Sequence, residues 1–394
     1  MQSINITTYS DPSGYKLSSL PKPEVSDPSD VVIQVYAASI NPIDVKKAAG
    51  AMKMLFKDPF PYKIGYDCAG IVLAVGGTVT RVKPGDEVYT RLPESHRGIN
   101  HHPAQDGSPD LRSQISDLRP QTSVRATAVL ILADVGSWSQ FAKCPESDVA
   151  LKPASLSFEA AASLPLAAMT ALQALQKYNG SLAGKTVFVP AGLSGTGSYA
   201  CQLAKNVFGA GKVITTVSTS KVPKVPELLG EGVVDEIIDY TQTNAATSIP
   251  PKSVDFMFDT TGQAMEFLSR MVPKTGLVIS VSTTPSGKQM QNAKVMKSPG
   301  AGNIPWVASA LLNMMDSVRK WRAKRWGVGY EYMFLESKGT DLDALRGHVD
   351  AGRLKPVVGL SVKFEDIEGV KKAAMTSYQG KGAIGKTVIR MDVK

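Results

Sequence analysis

Cysteine, histidine and long apolar runs are scarce in this chain. Three cysteines occur in 394 residues, Cys68, Cys144 and Cys201. They are too far apart to make a paired framework, so a reducing compartment is expected. No apolar region follows Met1, and no apolar run is long enough to span a bilayer, which points to the cytoplasm. Hydrophobic residues at 43% and charged residues at 20% are ordinary for a globular chain with room for two domains. The formal net charge is +9, but the basic residues are mostly scattered. That argues against a nucleic-acid face, and an anionic ligand accounts for part of the excess.

The most informative stretch is KTVFVPAGLSGTGSYACQLAK, residues 185–205. Residues 186–190 are a short apolar run with β-branched side chains, and 191–197 form a glycine-rich turn. From Ser198 the spacing turns helical, with Ala200, Leu203, Ala204 and Val207 on one face. A strand, a glycine turn and a helix in succession present backbone N–H groups at a helix N-terminus, where an anion such as a dinucleotide diphosphate binds. Gly192, Gly195 and Gly197, with Ser194 and Thr196 between them, read G-x-x-G-x-G rather than G-x-G-x-x-G. A tight structural turn needs the same residues, so the loop alone leaves both readings open.

The segment after the loop favours the ligand. Residues 212–217 are a second strand running into Ser218, Thr219, Ser220 and Lys221. In NAD sites this tip ends in Asp or Glu, which holds the ribose 2′-hydroxyl. Here it has hydroxyls followed by Lys221 and Lys224, suited to a 2′-phosphate, so NADPH is expected over NADH. The competing reading is a solvated lysine turn. Further strands are expected at 234–240, ending at Tyr240; at 254–259, followed by Thr260-Thr261-Gly262 and a helix over 264–271; at 276–281, ending at Val281 and followed by Ser282; and at 330–335, followed by a helix over 342–351. Their tips line one carboxyl edge, where an open α/β sheet binds its ligand. The first 90 residues and those after 353 hold short strands punctuated by Gly and Pro, which suggests a small, partly open β-barrel.

The order SINPIDVK (39–46), PYKIGYDCAGIVLAVG (61–76), VKPGDEVY (82–89), LPLAAMTALQAL (164–175) and PAGLSGTGSYACQLAK (190–205) resembles the medium-chain dehydrogenase/reductase superfamily. Specifically, it is similar to the zinc-independent quinone oxidoreductase and enoyl reductase branch in a form like that of filamentous fungi. The resemblance implies an α/β chain: a GroES-like, partly open β-barrel catalytic domain (1–155 and 353–394) with a Rossmann doubly wound parallel sheet (156–352) inserted. It implies NADPH and a small-molecule substrate, a quinone, an enone or an enoyl thioester. Asn41, Lys46 and Tyr66 are the implied hydrogen-bond donors to the acceptor oxygen. Asp44 either fixes Lys46 or caps the following helix. Thr170 is placed beside the nicotinamide, Tyr240 near the adenosine, and Thr261, Val281 and Ser282 on the cofactor edge. A trans-acting enoyl reductase of a biosynthetic pathway and a catalytically silent binding protein remain alternatives.

Zinc-dependent relatives carry a Cys and a G-H-E motif where this chain has Ser39-Ile40-Asn41 and Gly65-Tyr66-Asp67, so no metal is expected. His96, His101 and His102 lack an accompanying cysteine pair. The last two fall in an atypical insert, 99–136, rich in Pro, Ser, Asp and Arg. A lid, a disordered loop and a retained intervening sequence compete as readings. The third is favoured because joining Gly98 to Ser137 restores ESHRG-SWSQFA without a gap, and the codons at both ends can hold splice boundaries in phase. Residues 304–326, apolar and then basic, read as a helix packing in the core or cleft. A membrane surface and a homodimer contact are its other readings.

Overall fold

The computed structural model describes residues 1–53, 58–93, 136–293, 296, 302–380 and 383–392. Strand β3 (Asp30–Ile40) is the spine of the first unit. Its apolar run buries side chains on both faces, and both of its edges are paired. On one edge runs β5 (Asp67–Val75), antiparallel to it, followed by β6 (Glu87–Arg91) and β8 (Val149–Leu151). The other edge is shared. Strand β7 (Phe141–Pro145) pairs with residues 30–34, and β16 (Lys386–Arg390) pairs with residues 37–40. Strand β15 (Val358–Lys363) extends the sheet beyond β16. A small sheet of β2 (Lys16–Ser19), β1 (Gln2–Ile6) and β4 (Tyr62–Lys63) stands beside it. The chain's two ends therefore build one barrel-like unit. Helices α1 (Pro42–Ala48) and α10 (Ile367–Tyr378) pack against each other beside this unit.

Between these ends lies a six-stranded parallel sheet ordered β11-β10-β9-β12-β13-β14. Its strands are β9 (Thr186–Val189), β10 (Lys212–Val217), β11 (Glu236–Asp239), β12 (Phe256–Asp259), β13 (Leu277–Ser280) and β14 (Gly329–Tyr332). Counted from β9 the order is 3-2-1-4-5-6, the doubly wound dinucleotide-binding arrangement, with its crossover between β9 and β12. Helices α2 (Phe158–Ala162) and α3 (Pro165–Gln176) lead into it, with the break where the sequence has Leu164-Pro165. The remaining helices are α4 (Gly195–Asn206), α5 (Lys224–Leu229), α6 (Ala245–Ser248), α7 (Gly287–Asn292), α8 (Trp306–Arg325) and α9 (Gly339–Asp350).

Two expectations are corrected. The helix expected over 264–271 is two short 3-10 turns, Ala264–Glu266 and Leu268–Arg270. After β12 the Asp259 carboxylate accepts the N–H groups of Gly262 (2.7 Å) and Gln263 (3.2 Å), which closes the turn that leads into the first of them. The second correction concerns α8. Its apolar residues Trp306, Val307, Leu311 and Met314 face solvent, while Asp316 and Ala323 point inward.

One core joins the two units: Ala37, Ala69 and Tyr89 pack in the same cluster as α2, α3 and β9. The Tyr89 hydroxyl donates to Leu342 O (2.5 Å), and Arg91 Nη1 donates to Ser337 Oγ (2.9 Å).

The insert's residues up to 135 lie outside the described residues, as do His96, His101 and His102. Its flanks are well defined. Leu92 N–H donates to Tyr66 O (2.8 Å) and Ser137 N–H to Gly65 O (3.0 Å), so both ends are held on consecutive residues. Trp138 is fully buried; a Cβ on Gly65 would meet its ring at 2.1 Å, and its Nε1 donates to Ser39 O (3.1 Å). The position before Ser137 must be glycine: Gly136 has φ +133°, and a Cβ there would fall 2.3 Å from Lys63 Cβ. In a chain joined directly, Gly98 supplies that glycine. We predict that joining Gly98 to Ser137 leaves the thermal midpoint no lower than in the full chain, with the near-ultraviolet signal of Trp138 intact. A clearly lower midpoint, or a message carrying the insert in most copies, would count against an intervening-sequence origin.

Candidate active site

The loop after β9 sits at the crossover of the parallel sheet, strapped to β10. Ala191 N–H donates to Thr216 Oγ1 (3.0 Å) and Gly192 N–H to Thr216 O (3.3 Å). A Cβ on Gly192 would meet Thr215 Oγ1 at 2.1 Å, and one on Gly197 would meet Ala191 O at 2.3 Å. Gly192 therefore lets the turn lie close on β10, and Gly197 lets the start of α4 close on the turn itself. Ser194 is the N-cap of α4, accepting Gly197 N–H at 3.0 Å. Gly195 faces the other unit, where a Cβ would stand 2.8 Å from Lys386 Cδ. The contact continues as a parallel bridge between Ser194 and Gly385, with Gly385 N–H donating to Leu193 O (2.8 Å).

Across this seam lies a buried ionic cluster. Lys386, at the start of β16, reaches under the loop to Ile40 O (3.2 Å), to Asn41 Oδ1 and to Asp67 Oδ2 (3.8 Å). Asp67, at the start of β5, is fully buried and accepts from Ser39 Oγ (3.1 Å), Asn41 Nδ2 (2.9 Å) and Leu166 N–H (3.1 Å). The Asn41 amide is thus fixed in orientation, Nδ2 on the carboxylate and Oδ1 on the ammonium. Burial drives every ionised member toward neutrality. Lys386 is pushed down, opposed by Asp67 and Asp44, and Asp67 is pushed up, opposed by Lys386 and Asn41. Asp44 is pushed up to about 7 by burial and by the Asp67 carboxylate.

The structure brings Asn41 and Asp44 together and sets Tyr66 beside Lys47 of the same helix, but leaves Lys46 apart. On α1 the inward positions are Asp44, Val45, Lys47 and Ala48, and Lys46 points to solvent. The buried cation is Lys47, with Nζ 3.4 Å from Asp58 Oδ1 and 5.7 Å from the centre of the Tyr66 ring. Arg91 stacks over the same ring at 5.1 Å. Asp44 caps α1: its Oδ2 accepts Asn41 N–H (2.7 Å), and it is fully buried. Its Oδ1 has no hydrogen-bond partner among the described residues.

Of the remaining cofactor candidates Thr170 lies on α3, and the others lie along the carboxyl edge. The Thr170 hydroxyl donates to Leu166 O (2.6 Å), one turn from the N–H that holds Asp67. Tyr240 is exposed beyond β11, and its N–H donates to Val217 O (3.1 Å). Val281 N–H donates to Asp259 O (3.1 Å), exposed Thr261 follows β12, and the Ser282 hydroxyl donates to Thr260 O (2.5 Å). Ser218 and Lys221 are half-buried at the tip of β10. Beside them the Thr219 hydroxyl meets the Thr241 hydroxyl (2.7 Å), which donates to Asp239 Oδ1 (2.7 Å). A carboxylate from the adjacent strand thus reaches a tip that carries none of its own, and these hydroxyls hold it below the usual carboxylate range.

The sequence reading missed Asp67, Lys386, Arg91 and Asp239 as site residues. Asp67 had a signal, as an acidic residue opening an otherwise apolar strand. Lys386 had a fainter one, between a glycine and the last strand.

Two family models match: "Alcohol dehydrogenase GroES-like domain" over residues 27–154 and "Zinc-binding dehydrogenase" over 234–389. The chain belongs to the medium-chain dehydrogenase/reductase superfamily. It is 36% identical to the 2-methylene-furan-3-one reductase of Solanum lycopersicum over 290 residues, covering 73% of this chain and 64% of that protein. It is 34% identical to the NADPH-dependent alkenal/one oxidoreductase, chloroplastic, of Arabidopsis thaliana, covering 68% of this chain and 60% of that one. The chain thus spans less than two thirds of the length of either relative. The solved quinone oxidoreductase of Coxiella burnetii shares the fold, with TM-score 0.70, 24% identity and coverage of 100% of this chain and 99% of that one.

The second family description raises zinc, and the described donors around Asp67 do not suit it. Among the described residues no group of three His, Cys, Asp or Glu could hold a metal ion. Asp67 is already engaged by three donors, and a dication there would stand against the Lys386 ammonium.

The buried charges can be tested in two ways. Lys386→Met strands the Asp67 charge and should cost about 3–5 kcal/mol in urea unfolding. Adding Asp67→Asn should recover part of that loss, and a double variant no more stable than the single one would refute the pairing. Asp44 holds its proton in the fold over a range, about pH 4 to 7, in which the unfolded chain releases it. The folded state binds more protons there, so stability falls as pH rises through that window and levels above it. Asp44→Asn keeps an acceptor for Asn41 N–H and should remove this slope, on the order of 2–4 kcal/mol. An unchanged slope across the window would place the titration elsewhere.

Proposed function

We propose that this chain is an NADPH-dependent reductase that passes hydride, without a metal, to a quinone or an α,β-unsaturated carbonyl. The observation that carries this reading is the glycine loop at the sheet crossover, closed from the other side by Gly385 and Lys386 and adjoining the Asn41–Asp67 cluster. The names of the tomato and Arabidopsis relatives support the same class of chemistry. The loop and edge fit the cofactor. The N-terminus of α4 offers N–H groups and the positive end of a helix to a diphosphate, and Lys386 lies beside it. Ser218, Lys221 and Tyr240 would hold the adenosine end; Thr170, Thr261, Val281 and Ser282 would hold the nicotinamide end. When bound, NADPH supplies the hydride.

The chain's own residues position the acceptor and meet the charge that forms on it. A conjugated carbonyl that gains hydride at its β-carbon becomes an enolate, and a quinone becomes a hydroquinone anion. Both need a donor at oxygen and then a proton. We assign the Tyr66 hydroxyl as that donor; its ring is buried and braced by Lys47 and Arg91. Asn41, locked by Asp67 and Lys386, holds the wall against which the acceptor rests. Lys46, on the solvent side of α1, has no part. The three cysteines are buried and free, which supports a reducing compartment.

The test is loss of NADPH absorbance against a panel of quinones, alkenals, enones and enoyl thioesters. At least one class should be reduced; no turnover with any of them and no thermal shift with NADPH would refute the reading. In the same assay Lys221→Asp should raise the KM for NADPH by at least about tenfold and leave NADH nearly unchanged. Equal losses for both coenzymes would remove Lys221 from the phosphate site.

A further inference from the structure

Helix α8 carries an apolar face that none of the described residues covers. Val307, Leu311, Met314, Val318 and Trp321 follow a 4-3-4-3 spacing and are all at least half exposed. That spacing places them in one stripe along the helix. Trp306 stands at its start, 81% exposed, and Trp326 just beyond its end, 49% exposed. The last two turns hold Arg319, Lys320, Arg322, Lys324 and Arg325, and the only acidic residue on the helix, Asp316, is buried and bound to Lys320 at 2.7 Å. The outer face is therefore apolar and cationic, with no exposed carboxylate.

We infer that α8 docks this protein on an anionic lipid surface. Charge decides between that occupant and a second copy of the chain. Arg325 continues the stripe, one turn beyond Trp321, with its guanidinium 5.0 Å from the Trp321 ring centre. Side-by-side pairing of two such helices in parallel brings their basic ends together. In antiparallel pairing Arg325 meets the apolar start of the partner helix. Neither offers a carboxylate, whereas lipid phosphates do offer an anion, at the depth where tryptophan rings settle. Among the described residues no helix is long and apolar enough to cross a membrane, so α8 lies in the interface plane. Its inner side adjoins α7, and Lys320 lines a cavity of about 1030 Å³ shared with Arg91, Gln289, Met333 and Phe334. Docking brings the mouth of that cavity close to the lipid.

The experiment is co-flotation of the full chain with vesicles of phosphatidylcholine alone or mixed with phosphatidylserine. Wild type should bind the mixed vesicles at least about tenfold better, and added salt should weaken the binding. Two triple variants, Trp306→Ser/Leu311→Ser/Trp321→Ser and Arg322→Glu/Lys324→Glu/Arg325→Glu, should each lose about tenfold or more. All six positions are exposed, so the thermal midpoint should hold; if one variant unfolds, the other decides. Equal binding to both vesicle types, no binding to either, or full binding by the charge-reversed variant would overturn the proposal. A wild-type dimer that the serine variant converts to monomer, without vesicle binding, would assign the stripe to a second copy and overturn it as well.

Discussion

The buried pairing of Lys386 with Asp67, mediated by Asn41, is the constraint on which the rest of this structure depends. Two strands from opposite ends of the chain, β16 and β3, meet antiparallel with Thr387 opposite Ile40. That register delivers the ammonium to the turn after β3. Desolvating both charges is expensive, and the surrounding donors make the arrangement tolerable: Ser39 Oγ, Asn41 Nδ2 and Leu166 N–H all serve one carboxylate. Because Leu166 opens into α3 and Lys386 lies against Gly195, the same charges fix the angle between barrel and parallel sheet. Such a cluster gives up stability relative to an apolar filling and gains a single permitted arrangement at the seam.

The parallel sheet was legible because its signals are local. Most of its strands are short apolar runs, and the glycine turn announces where α4 begins. The 264–271 segment misled because its apolar spacing suited a helix, whereas the chain makes two separate 3-10 turns that meet at Phe267. On α1 the order Asp44-Val45-Lys46-Lys47 leaves two adjacent lysines as candidates, and only the helix phase against Tyr66 and Asp58 selects Lys47.

The cluster itself could not be read from the sequence. Asn41 and Lys386 are 345 residues apart, and no periodicity connects them. The same holds for Asp239, which reaches the β10 tip only because β11 is its neighbour in the sheet. α8 shows the converse failure. Its apolar count suggested burial, yet its inward face is made of Asp316 and Ala323. Spacing identifies a face, and only packing says whether anything lies on it.

The 345-residue interval has a consequence for biosynthesis. Asn41, Asp44 and Asp67 leave the ribosome early, and their counter-ion follows after a delay on the order of tens of seconds. Throughout that interval the half of the β3 edge that β16 will occupy stays open, and two acidic groups have no lysine to neutralise them. The nascent barrel must therefore wait, partly hydrated, until its final strand emerges. A chaperone that shields this edge would hold β3 and give way once β16 had emerged.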